Sequence, residues 1–104
     1  MSEVRVCAVA DVPVGEARRF AVDDRAVAVV NLGPDGIRAI DAVCSHAHFF
    51  LDEGDVDVTE GTIECPKHGS LFDVGSGKPL GLPAIKPVAT YAVTVTDDAV
   101  WIEV

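Results

Sequence analysis

The chain has 104 residues, 49% of them hydrophobic, and its 17 acidic and 8 basic side chains give a formal net charge of −9. This length suits a single domain, 1–104, and leaves no room for a second one. The excess of carboxylates disfavours nucleic acid, whose affinity comes largely from Lys and Arg, and no apolar run reaches the roughly 20 residues that cross a bilayer. The start, Met1-Ser2-Glu3, lacks the basic and apolar segments of a secretory signal, so we expect a cytoplasmic protein without a membrane span.

The first third of the chain alternates β-branched and other residues with a period of two. Residues 4–6 and 25–29 are therefore predicted to be strands. Between them, 10–16 can form one helical turn at most, because the segment contains a proline and a glycine. Asp23-Asp24 and the segment 33–36 have the composition of tight turns between strands.

The centre of the chain, from about residue 42 to residue 82, breaks this pattern. It contains all three histidines, two of the three cysteines and most of the glycines. Its last part, 75–83, is too rich in Gly and Pro for a central strand and suits a stiff loop that passes close to another segment. We predict a loop-built binding site inserted at 42–82.

The last part returns to the period of two. Residues 90–95 and 100–104 are predicted strands, and Asp97-Asp98 is the turn between them. With the strands before the insert, this predicts an antiparallel all-β meander with little helix.

Three cysteines are an odd number, and disulfides are disfavoured in the cytoplasm. Cys7 stands alone in the first predicted strand, where a small buried side chain is the simplest interpretation. Cys44 and Cys65 each have a histidine close by in the sequence, which indicates a ligand role.

The central segment contains two short motifs that together offer four metal ligands. Cys44-Ser45-His46 and Cys65-Pro66-Lys67-His68 are separated by 18 residues, counted between His46 and Cys65. Thiolates and imidazoles select zinc, copper or iron–sulfur centres over magnesium and calcium, which prefer oxygen. A structural zinc site is the alternative, but zinc sites tend to group two Cys and then two His, whereas each motif here offers one of each.

The two motifs resemble those of the Rieske ferredoxins, in which Cys-x-His is followed by Cys-x-x-His. The similarity extends to Leu51-Asp52-Glu53-Gly54, to 65–73 and to Gly77-Lys78-Pro79, and covers nearly the whole chain. The resemblance implies the Rieske fold, an antiparallel β-sandwich or incomplete barrel with an inserted cluster-binding subdomain. It also implies one [2Fe–2S] cluster, with Cys44 and Cys65 on one iron and His46 and His68 on the other.

The resemblance also bears on the reduction potential, which for such centres ranges from about −150 to +300 mV. High-potential members have a disulfide between the two loops, and here Ala47-His48-Phe49 and Lys67 stand in those places. They also donate hydrogen bonds to the cluster from a Ser, matched by Ser70, and from a Tyr, replaced by Phe72. We expect a low-potential centre, raised slightly by Ser70.

The function implied by the resemblance is one-electron transfer from a flavoprotein reductase to a terminal non-haem iron oxygenase. The chain itself would catalyse no bond making, because an oxygenase needs a second domain with a two-His, one-carboxylate iron site and His48 is the only histidine left over. A monomer is the simplest form for such a carrier. An accessory role in iron–sulfur cluster assembly or redox sensing is the alternative, followed by the cluster-free small subunit of a nitrite reductase and by the zinc module.

Six acidic residues lie between the two motifs and could form part of a docking surface for a basic redox partner. A solvated loop face is an equally good interpretation. These residues are Asp52, Glu53, Asp55, Asp57, Glu60 and Glu64.

Overall fold

The computed structural model describes residues 3–44, 49–66, 69–80 and 86–104. Within these ranges the chain forms ten β-strands and three short 3₁₀ turns, with no α-helix. The strands are β1 (Glu3–Ala8), β2 (Ala17–Val22), β3 (Arg25–Asn31), β4 (Ile37–Asp41), β5 (Val56–Asp57), β6 (Thr62–Glu64), β7 (Leu71–Asp73), β8 (Thr90–Tyr91), β9 (Val93–Thr96) and β10 (Ala99–Glu103). The 3₁₀ turns are Val9–Asp11, Gly33–Asp35 and Leu51–Glu53.

The strands form three antiparallel sheets. The terminal sheet has the order β1-β10-β9, the central sheet β2-β3-β4-β8 and the small sheet β5-β6-β7. The small sheet lies between β4 and β8 in the chain, so it is inserted into the central sheet's sequence. The expected all-β fold is confirmed, whereas the treatment of 42–82 as a separate subdomain stays a prediction.

Strand β3, an interior strand of the central sheet, is buried on both faces from Val27 to Asn31, which matches its uninterrupted apolar run. Val27 and Val29 pack with residues of the terminal sheet such as Val100 and Ile102. Their neighbours Ala28 and Val30 point to the other face and belong to the core that covers the inserted segment. The insert therefore packs on one face of the central sheet, and the terminal sheet packs on the other.

The predicted tight turns are confirmed. Asp97 and Asp98 both have positive φ, 53° and 61°, as a two-residue hairpin between β9 and β10 requires. Asp23 has φ 54° between β2 and β3, and Gly36 has φ 87° before β4. Aspartate tolerates the left-handed region better than most residues, because its side chain can bond to the nearby backbone.

Three expectations need correction. The strands do not form a simple meander, because β1 pairs with β10 at the other end of the chain. The predicted strand 90–95 is divided at Ala92, since Tyr91 pairs with Ala39 in the central sheet and Val93 pairs with Ile102 in the terminal sheet. The centre is also not built of loops alone, because β5, β6 and β7 form a small sheet there.

The expectation for 10–16 holds, because helical structure there is limited to the turn Val9–Asp11. The Gly- and Pro-rich segment also behaves as expected in its described part, residues 75–80. A Cβ at Gly77 would lie 2.1 Å from the Val88 carbonyl oxygen, so only glycine permits this close approach.

Candidate metal centre

Two hairpin loops of equal length carry the two cysteines. The bridge between Val43 and Phe50 encloses residues 44–49, and the pair Glu64 and Leu71 encloses 65–70. Both loops therefore have six residues and begin with a cysteine. The spacing of the motifs in the sequence did not reveal this equivalence, because it depends on strand pairs that flank the motifs.

Matching backbone hydrogen bonds close the two loops. The Cys44 N–H donates to the Phe49 carbonyl at 2.9 Å, and the Cys65 N–H donates to the Ser70 carbonyl at 2.7 Å. Each bond runs from the cysteine to the residue five positions later. A further bond, from the Gly69 N–H to the Cys65 carbonyl at 3.0 Å, tightens the second loop. Each cysteine is thus the first residue of a six-residue loop and is held there by an equivalent backbone hydrogen bond.

Both cysteines are almost inaccessible to solvent. Cys44 is 3% exposed and Cys65 is 0% exposed, and they belong to one core cluster together with Leu51 and Phe72. No disulfide uses either of them. Two buried sulfurs in one cluster, each at the start of a hairpin loop, give a soft donor pair shielded from water.

The histidines of the two motifs, His46 and His68, lie outside the described residues, as do His48 and Lys67. Their positions in the sequence place His46 within the first loop and His68 within the second. The chemistry of the set, two buried thiols and two imidazoles shared between two loops, fits a [2Fe–2S] centre with mixed ligands. The assignment of all four as ligands remains a prediction.

The turn Leu51–Glu53 and Gly54 lie in the segment between the two loops and contact the chain beside each of them. The Leu51 N–H donates to the Ala42 carbonyl at 2.7 Å, two residues before Cys44. At the other end, a Cβ on Gly54 would lie 1.6 Å from the carbonyl oxygen of Glu64, the residue before Cys65. The segment that resembles the family between the motifs therefore sets the relative position of the loops.

Arg19 on β2 joins the central sheet to the first loop. Its guanidinium carbon lies 3.6 Å from the centroid of the Phe50 ring. One of its nitrogens is 3.7 Å from Asp52 Oδ1 and 3.9 Å from Glu53 Oε2. Phe50 pairs with Val43 at the base of the loop. The cation–π contact of Arg19 with Phe50 therefore stabilises the base of the first loop.

Asp52 is largely buried beside Arg19. Its Oδ1 atom has no hydrogen-bond partner among the described residues, although Arg19 is within ion-pair distance. Burial raises the pKa of Asp52, and the nearby guanidinium opposes this shift. Sequence reasoning missed the role of Arg19, because nothing in the β2 sequence singles it out from Arg18.

A second set of contacts holds the strand that leads into the first loop. The Tyr91 hydroxyl donates to the Asp41 carboxylate, and Arg25 donates to the Tyr91 oxygen at 3.2 Å. Burial and the hydrogen bond to Asp41 raise the pKa of Tyr91. Asp41 ends β4, three residues before Cys44, so these contacts fix where the loop starts. They give Tyr91 a structural role at the edge of the central sheet.

The remaining candidates are also placed. Ser70 is 1% exposed, and its carbonyl accepts from the Cys65 N–H, so the residue is held away from solvent at the end of the second loop. Phe72 is fully buried. Cys7 lies in a different core cluster from Cys44 and Cys65, and burial followed by the negative charge of Asp11 raises its pKa. These data support a packing role for Cys7.

Comparison with known proteins gives consistent results. The family model described as Rieske [2Fe-2S] domain matches residues 2–92. The ferredoxin subunit of 3-phenylpropionate/cinnamic acid dioxygenase from Escherichia coli (strain K12) is 38% identical over 103 residues, which cover 99% of this chain and 94% of that protein.

Solved structures agree. The ferredoxin of carbazole 1,9a-dioxygenase from Nocardioides aromaticivorans IC177 superimposes with a TM-score of 0.92 at 36% identity, over 98% of this chain and 97% of that one. A complex of reduced oxygenase and oxidised ferredoxin in carbazole 1,9a-dioxygenase contains a chain with a TM-score of 0.86 at 34% identity, over 96% of this chain and 91% of that one. None of the helices in the described ranges is long and apolar enough to span a membrane.

Proposed function

The chain belongs to the Rieske [2Fe–2S] family, and on that premise we propose that it is the ferredoxin component of a ring-hydroxylating dioxygenase system. It takes one electron from a flavoprotein reductase and delivers it to a terminal non-haem iron oxygenase. The observation behind this proposal is the match over nearly the full length to ferredoxins of such systems, one of them in a complex with its oxygenase.

Four side chains bind the cluster in this proposal. Cys44 and Cys65, the buried first residues of the two loops, supply two thiolates. His46 and His68 supply two imidazoles from the same loops. When bound, the cluster provides a one-electron couple, in a range of about −150 to +300 mV for centres with this ligand set. The chain contributes no catalytic group of its own.

The protein controls water and charge around this group. The thiols lie in the apolar core formed with Leu51 and Phe72, which keeps solvent from the buried side. Ser70 is held in the second loop, where its hydroxyl can donate to sulfur and favour the reduced state. Phe72 has no hydroxyl to add a second bond, which supports a potential in the lower part of the range.

The test measures reoxidation of the reduced protein by a terminal oxygenase. We expect the reduced protein, mixed anaerobically with the oxygenase of carbazole 1,9a-dioxygenase from Nocardioides aromaticivorans, to lose its electron much faster than in buffer. The Nocardioides ferredoxin, run in parallel, shows that the oxygenase is active. If that ferredoxin reacts and this protein does not, the proposal is contradicted.

A further inference from the structure

A groove of about 690 Å³ runs along the small sheet, outside the loops that hold the ligands. Its apolar part includes Leu71 and Leu80, which are 38% and 57% exposed. Carboxylates of the acidic run line the same groove, among them Asp55, Glu60 and Glu64. Two exposed leucines and several carboxylates in one groove form an amphipathic surface rather than a uniformly solvated loop.

The structure divides the acidic run into two groups. Asp52 and Glu53 face Arg19 and form ion pairs with it. Asp55, Asp57, Glu60 and Glu64 line the groove, and none of the four forms an ion pair within the described part of the chain. No Lys or Arg contributes to the lining that the structure describes. The negative charge of this groove is therefore not balanced by an ion pair or a lining cation there.

The groove adjoins the second ligand loop. Glu64 and Leu71, both in its wall, are the strand pair that encloses residues 65–70. Cys65 follows Glu64 directly, and Ser70 precedes Leu71. A protein bound in the groove would therefore lie beside the loop that contains His68, one of the two histidines proposed as ligands.

We propose that this groove docks the electron-accepting partner, through a segment that presents Lys or Arg side chains around an apolar one. The inference rests on the proposed function and names the surface that it uses. Basic side chains would meet the carboxylates that form no ion pair in the described part of the chain, while the apolar side chain would cover Leu71 and Leu80.

The redox cycle favours the acceptor over the reductase as the occupant. The reduced protein has one more negative charge than the oxidised protein, so a basic partner is attracted more strongly to the reduced form. The acceptor must bind that form, and after transfer the attraction falls, which assists release. The reductase must bind the oxidised form, for which this electrostatic gain is smaller.

The test neutralises two groove carboxylates and compares this with an equal change elsewhere. The groove variant is Asp55→Asn/Glu60→Gln, and the control variant is Asp24→Asn/Asp35→Asn, on exposed turns of the central sheet. Glu64 is left intact because of its proximity to Cys65. Calorimetry gives the Kd for the carbazole 1,9a-dioxygenase oxygenase, and stopped-flow absorption gives the rate of electron transfer to it and to cytochrome c, a basic one-electron acceptor.

We expect the groove variant to bind the oxygenase roughly threefold or more weakly at low salt, with a smaller change in the control and no difference at high salt. Leu80→Ala should weaken binding without changing the salt dependence. Equal losses in groove and control variants, or a larger effect on reduction by a reductase than on oxygenase binding, would overturn the proposal.

If the wild-type protein fails with the oxygenase while the Nocardioides ferredoxin succeeds, the proposed function fails. The rate of electron transfer to cytochrome c then tests, independently of the oxygenase, whether the groove is the docking surface. Slower transfer from the groove variant than from the control supports the surface, and equal rates refute it.

Discussion

Cys7, Cys44 and Cys65 are all buried, but only the last two begin hairpin loops and share one core cluster. We expect Cys44→Ser or Cys65→Ser to abolish cluster binding, because a hydroxyl is a poor replacement for a soft thiolate. Cys7→Ala is the matched control and should retain full iron and sulfide content. Iron, sulfide and visible absorption of the purified variants measure this, and normal cluster content in either loop variant would refute the ligand assignment.

Ser70 should tune the reduction potential. Removing one hydrogen bond that favours the reduced state costs about 1 kcal/mol, or roughly 40 mV for one electron. Ser70→Ala is therefore expected to lower the midpoint potential by about that amount, measured by protein-film voltammetry. Ser76→Ala is the control, because its hydroxyl donates to Asp73 outside the ligand loops. Equal potentials in the Ser70 variant and the wild type would exclude this role.

Arg19 should matter for stability through Asp52. Arg19→Gln leaves a largely buried carboxylate without its compensating charge and should destabilise the fold by about 1 kcal/mol, a Tm loss of roughly 4–8 °C. The double variant Arg19→Gln/Asp52→Asn should recover most of this loss. A double variant no more stable than Arg19→Gln would show that the stacking on Phe50, and not the charge, is the important contact.

The sign of the pH dependence follows from the pKa of Asp52. Burial raises this pKa in the folded state, so the folded protein binds the proton more tightly than the unfolded chain. The stabilisation is present at acid pH and is lost as the pH rises through the raised pKa. Without Arg19 the pKa should rise further, so the Tm difference between Arg19→Gln and wild type should widen with increasing pH. A constant difference would contradict this.

The turn Leu51–Glu53 with Gly54 contacts the residues that precede both cysteine-containing loops. Gly54→Ala would place a Cβ 1.6 Å from the Glu64 carbonyl oxygen, which the backbone must move to relieve. We expect a loss of about 1–3 kcal/mol in stability together with reduced cluster content. Gly75→Ala is the control, since its Cβ would have its nearest neighbour at 3.5 Å, an ordinary contact. Equal behaviour of the two variants would refute this account.

The elements show where sequence reasoning worked and where it could not. The strands at both ends and the turns at Asp23 and at Asp97-Asp98 were predictable, because period-two patterning and turn chemistry are local. The division of the last strand run at Ala92 was not, since a change of sheet leaves no signal in the alternation. The small sheet was missed because β5 to β7 have only two or three residues each.

At the candidate metal centre, too, the sequence predicted local features but not contacts between distant segments. The cysteine and histidine spacing identified the candidate ligands, since that chemistry requires particular residue types. The equal length of the two loops and the contact of Gly54 with Glu64 depend on pairing between distant segments. The role of Arg19 depends on the approach of β2 to Phe50, which no local pattern records.

The central sheet supports the rest of the fold. One face packs on the terminal sheet and the other on the segment that contains both cysteines. The core around Cys44 and Cys65 is therefore continuous with the central sheet, and we expect loss of the cluster to lower the Tm of the whole domain. Calorimetry of the apo and holo proteins measures this. Identical melting curves would contradict the coupling.

Every role proposed for this Rieske ferredoxin requires a cluster on two cysteines and two histidines. The most direct measurement is the visible absorption and low-temperature EPR spectrum of protein purified anaerobically and reduced with dithionite. We expect a red-brown protein whose reduced form gives the low average g-value of mixed His and Cys ligation. A colourless protein with stoichiometric zinc and no EPR signal would refute the iron–sulfur assignment.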